Sequence, residues 1–266
     1  LIIFICAFFF PSVLFITVLL FFICATALVY IKYRMEKDRR FQFGRIHEVE
    51  QELKEARQMQ SSLVPLAPPN LTAFQVAGRS IEAREVGGDF FNYFVEENKL
   101  TIAVADVSGK GLKAAMNAVM ASGVLSLTNQ YQEETKTIMA DLNTTLCASM
   151  ENGMNITMVL AEFDLENKQL ILANAGQHAY PLLVRQKQIQ LIQAKGLALG
   201  MIPSIPYKTV TVDLQAGDLL LFMTDGITEP INEAGQMYEE SGRFHQLISG
   251  LSEQLTAEKV VDQVIG

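Results

Sequence analysis

The sequence has 266 residues, of which 50% are hydrophobic and 19% are charged, and its formal net charge is −8 at pH 7. From Pro65 onward it holds 13 Lys and Arg against 23 Asp and Glu, a net charge of −10, which argues against nucleic-acid binding through a basic face. The three cysteines and three histidines are too scattered for a disulfide framework or for a zinc site built from Cys and His.

Residues 1–31 form an almost uninterrupted apolar run. About 20 apolar residues span a bilayer, so residues 12–31 suffice, and we predict a transmembrane helix within 1–31 that Pro11 either starts or kinks. A secretory signal peptide is the alternative. Its apolar core has about 7–15 residues and ends at small residues, whereas this run ends in Lys32-Tyr33-Arg34.

Five basic residues and two acidic residues follow the apolar run within 32–40. By the positive-inside rule this flank is cytoplasmic. We therefore expect a protein of the cell membrane whose remaining residues lie in the cytoplasm. Because the sequence begins with Leu instead of Met, we also expect it to be a piece of a longer protein.

Residues 32–64 are predicted to be a basic juxtamembrane segment followed by a helix with a heptad seam. Apolar positions recur at alternating intervals of three and four residues, as in the a and d positions of a coiled coil. The seam consists of Ile46, Val49, Leu53, Ala56, Gln60 and Leu63. Either one amphipathic helix lies on the following domain, or two chains pair as a homodimer through 46–63. Prolines 65, 68 and 69 end the helix.

Residues 65–266 are enough for one domain with a sizeable core. Alternating apolar segments bounded by turn residues predict strands joined in hairpins. The predicted strands are 74–80, 90–95, 100–107, 155–164, 169–174, 181–185, 188–193, 209–214 and 218–224. Helices are predicted over about 111–128, 135–150 and most of 241–265. This order favours an α+β fold, an antiparallel β-sandwich flanked by helices.

Three aspartates stand beside glycine or at the end of a strand. Asp106 lies near the end of an apolar strand, Asp89 follows two glycines, and Asp225 precedes a glycine. A carboxylate at the end of a buried strand is costly unless it is paired, and Mg²⁺ and Mn²⁺ prefer oxygen ligands. A single aspartate beside glycine is more typical of a turn, but the three together indicate a cation site.

Two other kinds of site are set aside. The segment 109–111 (GKG) lacks the upstream glycine and the Ser or Thr of a nucleotide-binding P-loop, so we interpret Lys110 as a solvated turn residue. The sequence has no Gly-x-Ser-x-Gly nucleophile motif and gives His178 no obvious serine partner, so we interpret His178 as structural.

Five motifs occur in order within about residues 53–245. They are 84–91 (REVGGDFF), 105–111 (ADVSGKG), 173–176 (ANAG), 196–200 (GLALG) and 217–229 (GDLLLFMTDGITE). Together they resemble the SpoIIE/RsbU group of PPM-type serine/threonine phosphatases, and Arg57, Gln60, Leu63 and Pro65 resemble that group's linker signature. The resemblance implies a PPM-type phosphatase fold, with two packed antiparallel sheets, flanking helices and a metal site at one edge.

The resemblance also implies roles for particular residues and a substrate. Asp106 would bridge two Mn²⁺ or Mg²⁺ ions, and the backbone carbonyl of Val107 would add a ligand. Asp89 and Asp225 would each bind a metal, and Arg84 would clamp the substrate phosphate. The substrate would be phosphoserine or phosphothreonine on a partner protein, typically a STAS-type anti-sigma-factor antagonist, in membrane-linked bacterial signalling.

The sequence departs from the family pattern in two places. The family's chain usually ends in a strand with an Asp-Asp-x-Thr motif that supplies a further metal ligand, and this sequence stops at Gly266 without it, so we expect an incomplete C-terminus. A His often follows Asn-Ala-Gly directly, but here Gln177 intervenes before His178. The missing ligand keeps two alternatives to an enzyme open: a catalytically silent partner-binding module and a membrane receptor whose phosphatase-like domain only dimerises.

Overall fold

The computed structural model describes residues 2–265 except 62–64, 66, 73, 82–86, 133 and 252–254. The chain divides into two compact units, residues 1–53 and 54–266. Helix α1, Ile2–Ser61, accounts for the described part of the first unit and continues into the second. It begins before Pro11, so that proline does not start the helix. The predicted boundaries after residues 31 and 64 stay predictions.

Within α1, the segment Phe15–Arg45 is long and apolar enough to cross a membrane by length and composition. Its large apolar side chains are exposed, Phe15 and Phe21 each to 70%. A signal sequence near the N-terminus passes the same test, so the span itself stays a prediction. The seam side chains at 46, 49, 53, 56, 60 and 63 lie outside the described residues, and the coiled coil also stays a prediction.

The described part of the second unit holds two antiparallel sheets and five further helices. The strands are β1 (Phe90–Glu96), β2 (Lys99–Val107), β3 (Ile156–Asp164), β4 (Gln169–Ala175), β5 (Leu182–Arg185), β6 (Gln188–Leu191), β7 (Thr209–Asp213) and β8 (Leu219–Leu221). The helices are α2 (Leu112–Tyr131), α3 (Thr135–Ser149), α4 (Asp225–Thr228), α5 (Arg243–Gly250) and α6 (Ala257–Ile265). The large sheet has the order β1-β2-β3-β4-β7 and the small sheet β6-β5-β8.

Hairpins join neighbouring strands where the sequence predicts them. β1 and β2 pair from Phe90↔Ala105 to Glu96↔Lys99. β3 and β4 end at Asp164↔Gln169, and the Asp164 carboxylate accepts the backbone N–H groups of Glu166 and Asn167 at 3.1 and 2.9 Å. Such side-chain bonds to the backbone replace ladder bonds in tight turns, which explains why the turn between β3 and β4 is polar.

Strand alternation places the three cores in layers. Ala103, Ala105 and Val107 of β2 pack in a core with α2 and α3, whereas Leu100 and Ile102 pack in the core between the two sheets. A third core joins the small sheet to α5 and α6. Since neighbouring side chains of a strand point to opposite faces, Asp106 belongs to the face between the sheets. The order is therefore helices, large sheet, small sheet, helices.

One local prediction is wrong. Residues 74–80 form no strand, although Phe74 and Val76 pack against the core between the sheets, because alternation reports one-sided burial and not ladder pairing. The last two predicted strands do form, and they belong to different sheets, since β7 pairs with β4 and β8 with β5. Asp225 and Gly226 begin the short helix α4.

Candidate functional site

The three predicted aspartates lie at the ends of three different strands or loops. Asp106 is the second-last residue of β2 and stands opposite Thr157 of β3. Asp89 directly precedes β1, and Asp225 is the first residue of α4, which follows β8. All three are half-buried, so their carboxylates are partly removed from water.

Asp106 and Asp89 are close enough for their carboxyl groups to be hydrogen-bonded to each other. Burial, followed by the negative charge of Asp89 and this hydrogen bond, raises the pKa of Asp106 to about 7. The charges of Asp225 and Glu229 raise the same pKa further. Each influence disfavours a second negative charge at this position.

Thr224 links the Asp225 segment to Asp89. Its hydroxyl donates a hydrogen bond to Asp89 Oδ2 at 2.5 Å. Thr224 is the N-cap residue of α4, yet its side chain makes no capping bond to that helix. The hydroxyl therefore orients a carboxylate of the site instead of stabilising a helix end.

Gly88 brings the chain before Asp89 against the end of β2. A Cβ atom added at Gly88 would lie 2.7 Å from the carbonyl oxygen of Val107. Only glycine allows this approach. The structure thus brings together Asp89, Asp106 and the Val107 carbonyl, while Asp225 is near enough to act on Asp106 electrostatically.

The arrangement fits a hard divalent cation with few protein ligands. Two carboxyl groups share a hydrogen bond only when one of them holds a proton, and a cation can take the proton's place. Mg²⁺ is typically held by one or two carboxylates and keeps several waters. Within the described ranges, no three Asp, Glu, His or Cys side chains converge on one point. Arg84 lies outside the described residues.

Two further motifs act as support for this edge of the sandwich. A Cβ at Gly196 would lie 2.1 Å from the Asn174 carbonyl oxygen, and one at Gly176 would lie 2.9 Å from the Ala198 backbone nitrogen. Segments 173–176 and 196–200 therefore pack backbone against backbone.

Lys110 and His178 are exposed. That exposure agrees with a turn role for Lys110 and shows that the His178 side chain is not part of the packed core.

Sequence reasoning missed Glu229 and Thr224 as members of this site. Both belong to the motif at 217–229, but nothing in their spacing predicts contact with residues near 89 or 106. Thr224 and Asp89 are 135 positions apart. The position of Thr224 directly before Asp225 was the only local signal for either residue.

Comparison with known proteins identifies the family. The sequence model of the family described as stage II sporulation protein E (SpoIIE) matches residues 96–266. Phosphoserine phosphatase RsbU of Bacillus subtilis (strain 168) is 28% identical over 190 residues, which cover 71% of this chain and 56% of RsbU. The chain thus spans about half the length of that curated relative.

Solved structures share the fold. The SiaA-PP2C domain of Pseudomonas aeruginosa superposes with a TM-score of 0.70 at 18% identity, covering 82% of this chain and 88% of that domain. RsbX, solved in complex with magnesium, has a TM-score of 0.51 at 18% identity, covering 72% of this chain and 83% of RsbX. The predicted resemblance and sandwich are confirmed: the chain belongs to the SpoIIE family and has the PP2C phosphatase fold.

Proposed function

We propose that this chain is a metal-dependent protein serine/threonine phosphatase that hydrolyses phosphoserine or phosphothreonine on a partner protein. The observation that carries the proposal is the hydrogen-bonded pair of Asp89 and Asp106 carboxyl groups beside Asp225, at the sandwich edge of a SpoIIE-family chain. The name of its relative RsbU, a phosphoserine phosphatase, supports the same reaction.

In this proposal Asp106, Asp89, Asp225 and the Val107 carbonyl would together hold two Mn²⁺ or Mg²⁺ ions. The magnesium complex of RsbX supports a divalent cation. Bound divalent ions stabilise the charge of a phosphoryl group and lower the pKa of a bound water, which supplies a nucleophile at neutral pH.

The chain's own residues prepare the site for that charge. Burial and three acidic neighbours make a proton or cation favourable at Asp106. Thr224 fixes one oxygen of Asp89 by its hydrogen bond, so that the other oxygen is left to face a ligand. Gly88 lets the Asp89 segment approach the Val107 carbonyl. We assign Arg84, five residues before Asp89, to the substrate phosphate.

We further propose a substrate class, a membrane anchor and a dimer for this chain. The family resemblance supports a phosphorylated STAS-type protein as the partner. The apolar part of α1 supports an anchor through residues 12–31, with the phosphatase unit in the cytoplasm. The heptad spacing of 46–63 supports a homodimer that joins membrane and enzyme.

The direct test is phosphate release by the full chain in detergent, with Mn²⁺ and a phosphorylated STAS protein. Asp106→Asn and Asp225→Asn are expected to lower turnover by about 100-fold or more, because each removes a negatively charged ligand of the metal ions whose positive charge stabilises the transition state. Asp141→Asn, at an exposed aspartate on α3, is the matched control and retains turnover. Wild-type turnover in both site variants would show that the proposal is wrong.

A further inference from the structure

Gln177 is a buried polar residue beside the site that the proposed chemistry does not use. It is 4% exposed, and both ends of its side-chain amide are hydrogen-bonded. The Thr157 hydroxyl donates to its Oε1, and its Nε2 donates to the Met223 carbonyl oxygen at 3.2 Å. An amide whose oxygen and nitrogen both have partners is held in one orientation.

The backbone of Gln177 is fixed as well. Its N–H donates to Asn174 Oδ1 at 2.8 Å, and its carbonyl oxygen accepts from Asn174 Nδ2 at 3.0 Å. Asn174 is 2% exposed and belongs to β4. The turn between them has Gly176 at a φ of 75°, a conformation that glycine adopts without strain. The end of β4 therefore determines where the Gln177 side chain starts.

The two partners of Gln177 lead to the aspartates of the site. Thr157 stands opposite Asp106 in the ladder between β2 and β3. Met223 lies two residues before Asp225 and next to Thr224, whose hydroxyl contacts Asp89. Gln177 thus connects a strand of the large sheet to the segment that leaves the small sheet.

Such a connection matters because, among the described residues, no backbone ladder joins the two sheets. Hydrogen bonds within each sheet fix Asp106 relative to its own neighbours, but the distance from Asp106 to Asp225 depends on contacts between the sheets. Mg²⁺ requires oxygen ligands at about 2.0–2.1 Å, so small errors in that distance weaken binding. A neutral amide makes the connection without adding charge to a cluster of carboxylates.

We propose that Gln177 is a positioning residue that sets the separation of Asp106 and Asp225 and thereby raises the affinity of the site for its divalent cation. The inference rests on the proposed function, which makes these aspartates metal ligands. Loss of an outer hydrogen-bond partner of a metal site typically lowers affinity by about 10–100-fold. A purely structural role would lower stability and leave affinity unchanged.

The test measures Mn²⁺ binding to the full chain in detergent by titration calorimetry, together with the Mn²⁺ concentration that gives half-maximal phosphate release. Gln177→Met keeps the side-chain length and loses both amide bonds. Thr157→Val keeps the shape of threonine and loses one bond, whereas Thr157→Ser keeps the hydroxyl. We expect the dissociation constant for Mn²⁺ and the Mn²⁺ concentration for half-maximal phosphate release to rise about 10–100-fold in Gln177→Met and Thr157→Val. Both values should stay at the wild-type level in Thr157→Ser.

Thr135→Val is the matched control for Thr157→Val. Thr135 is 2% exposed, and its hydroxyl donates to Glu162 Oε2 at 3.2 Å, on the same strand β3 but five positions further along. It should lower stability and leave Mn²⁺ affinity unchanged. Equal losses of affinity in both valine variants would mean that any weakened core has this effect, and the positioning role would be rejected.

The outcomes separate this inference from the proposed function. If wild-type chain binds Mn²⁺ and Gln177→Met binds it within twofold of wild type, Gln177 is structural only and the phosphatase proposal stands. If wild-type chain binds no Mn²⁺ and releases no phosphate, the proposed function fails, and the role of Gln177 fails with it.

Discussion

At the scale of single residues, the absence of a side chain at position 88 is as important to the site as the carboxylates. Replacing Gly88 by Ala would put a Cβ 2.7 Å from the Val107 carbonyl oxygen, a backbone atom that cannot move alone. We expect Gly88→Ala to lower the free energy of unfolding by about 1–3 kcal/mol and to lower phosphatase turnover. Urea denaturation and phosphate release measure the two effects.

Gly123→Ala is the control for that prediction. Gly123 lies on the exposed side of α2, and a Cβ there would meet no atom within 4 Å. Alanine in a helix interior is more favourable than glycine by about 0.5–1 kcal/mol. This variant should therefore be slightly more stable than wild type and fully active. Equal stability of the Gly88 and Gly123 variants would contradict the close approach of the chain to Val107.

Sequence reasoning reached some residues of the site and not others for a physical reason. Asp89, Asp106 and Asp225 stand out because a carboxylate beside a buried strand or a double glycine is unusual locally. Gln177 and Thr224 act through contacts with residues 20 to 135 positions away, which local spacing does not encode. In the sequence, Gln177 is a departure from the family pattern, and only the fold shows that its side chain is buried.

At the scale of elements, a charged pair fixes the corner between β5 and the turn before β8. The Arg185 guanidinium donates to both carboxylate oxygens of Asp218, at 2.7 and 2.6 Å, and to the Asp213 carbonyl oxygen. Burial tends to raise the pKa of Asp218, but the bonds from Arg185 and from the Gln215 N–H outweigh it, and the pKa is lowered.

The lowered pKa of Asp218 determines how the contribution of this carboxylate to the free energy of unfolding depends on pH. A carboxylate whose folded pKa lies below its unfolded value of about 3.9 stabilises the fold fully above that value, and the contribution disappears as pH falls through the folded pKa. We therefore expect Asp218→Asn to be less stable than wild type by a constant amount from about pH 5 to 8. The difference should shrink below about pH 4.

Thermal unfolding midpoints of wild type and Asp218→Asn across this pH range check the prediction. Asp141→Asn, at an exposed aspartate of α3, should follow the wild-type curve throughout. A difference between wild type and Asp218→Asn that grows toward low pH would mean that the sign of the pKa shift is wrong.

Another element, α3, holds the loop after the 196–200 motif through one side chain. Asn143 is fully buried. Its Nδ2 donates to the Ile202 carbonyl oxygen and its Oδ1 accepts from the Gly200 N–H, both at 2.9 Å. Asn143→Leu would leave both backbone groups without their partner. We expect a loss of about 1–3 kcal/mol in the free energy of unfolding and faster hydrogen exchange at the Gly200 amide.

Thr144→Ala, one position further on α3, controls for the helix itself. Thr144 is exposed and its hydroxyl bonds only within the helix, to the Ala140 carbonyl oxygen. Surface changes of this kind typically stay within about 0.5 kcal/mol. If Gly200 exchanged at the same rate in wild type and Asn143→Leu, the loop would not depend on that side chain.

Prediction of elements succeeded where local pattern and tertiary structure coincide. The strands around Glu97 and Glu166 have alternating apolar residues and polar turns, and both hairpins form as predicted. The pattern at 74–80 also alternates, but the segment has no ladder partner and forms no strand. β7 and β8 are close in sequence, yet the core decides which sheet each one joins.

At the scale of the whole molecule, the proposed metal ligands come from both sheets, so the fold class itself explains the position of the proposed site. Asp106 ends a strand of the large sheet and Asp225 follows a strand of the small sheet. The antiparallel sandwich was predictable from hairpin-rich patterning. Its layering was not, because alternation identifies a buried face without identifying the element that covers it.

If the apolar part of α1 spans a membrane as proposed, the basic residues that follow it set the orientation of the whole chain. Only basic residues within about 15–20 positions of a span affect its orientation, and five lie in 32–40. A C-terminal alkaline phosphatase fusion, which is active only outside the cytoplasm, should therefore be inactive in wild type. Replacing Lys32, Arg34, Lys37, Arg39 and Arg40 by Gln should invert a fraction of the chains and raise reporter activity.

The matched control replaces five exposed lysines of the second unit by Gln, which changes net charge equally but far from the span. These are Lys113, Lys136, Lys168, Lys187 and Lys195. The reporter should stay inactive in this variant, because distant charge does not affect orientation. An active reporter on the wild-type chain would place the phosphatase unit outside the cytoplasm, away from any cytoplasmic phosphoprotein, and would contradict both the orientation and the proposed cytoplasmic substrate.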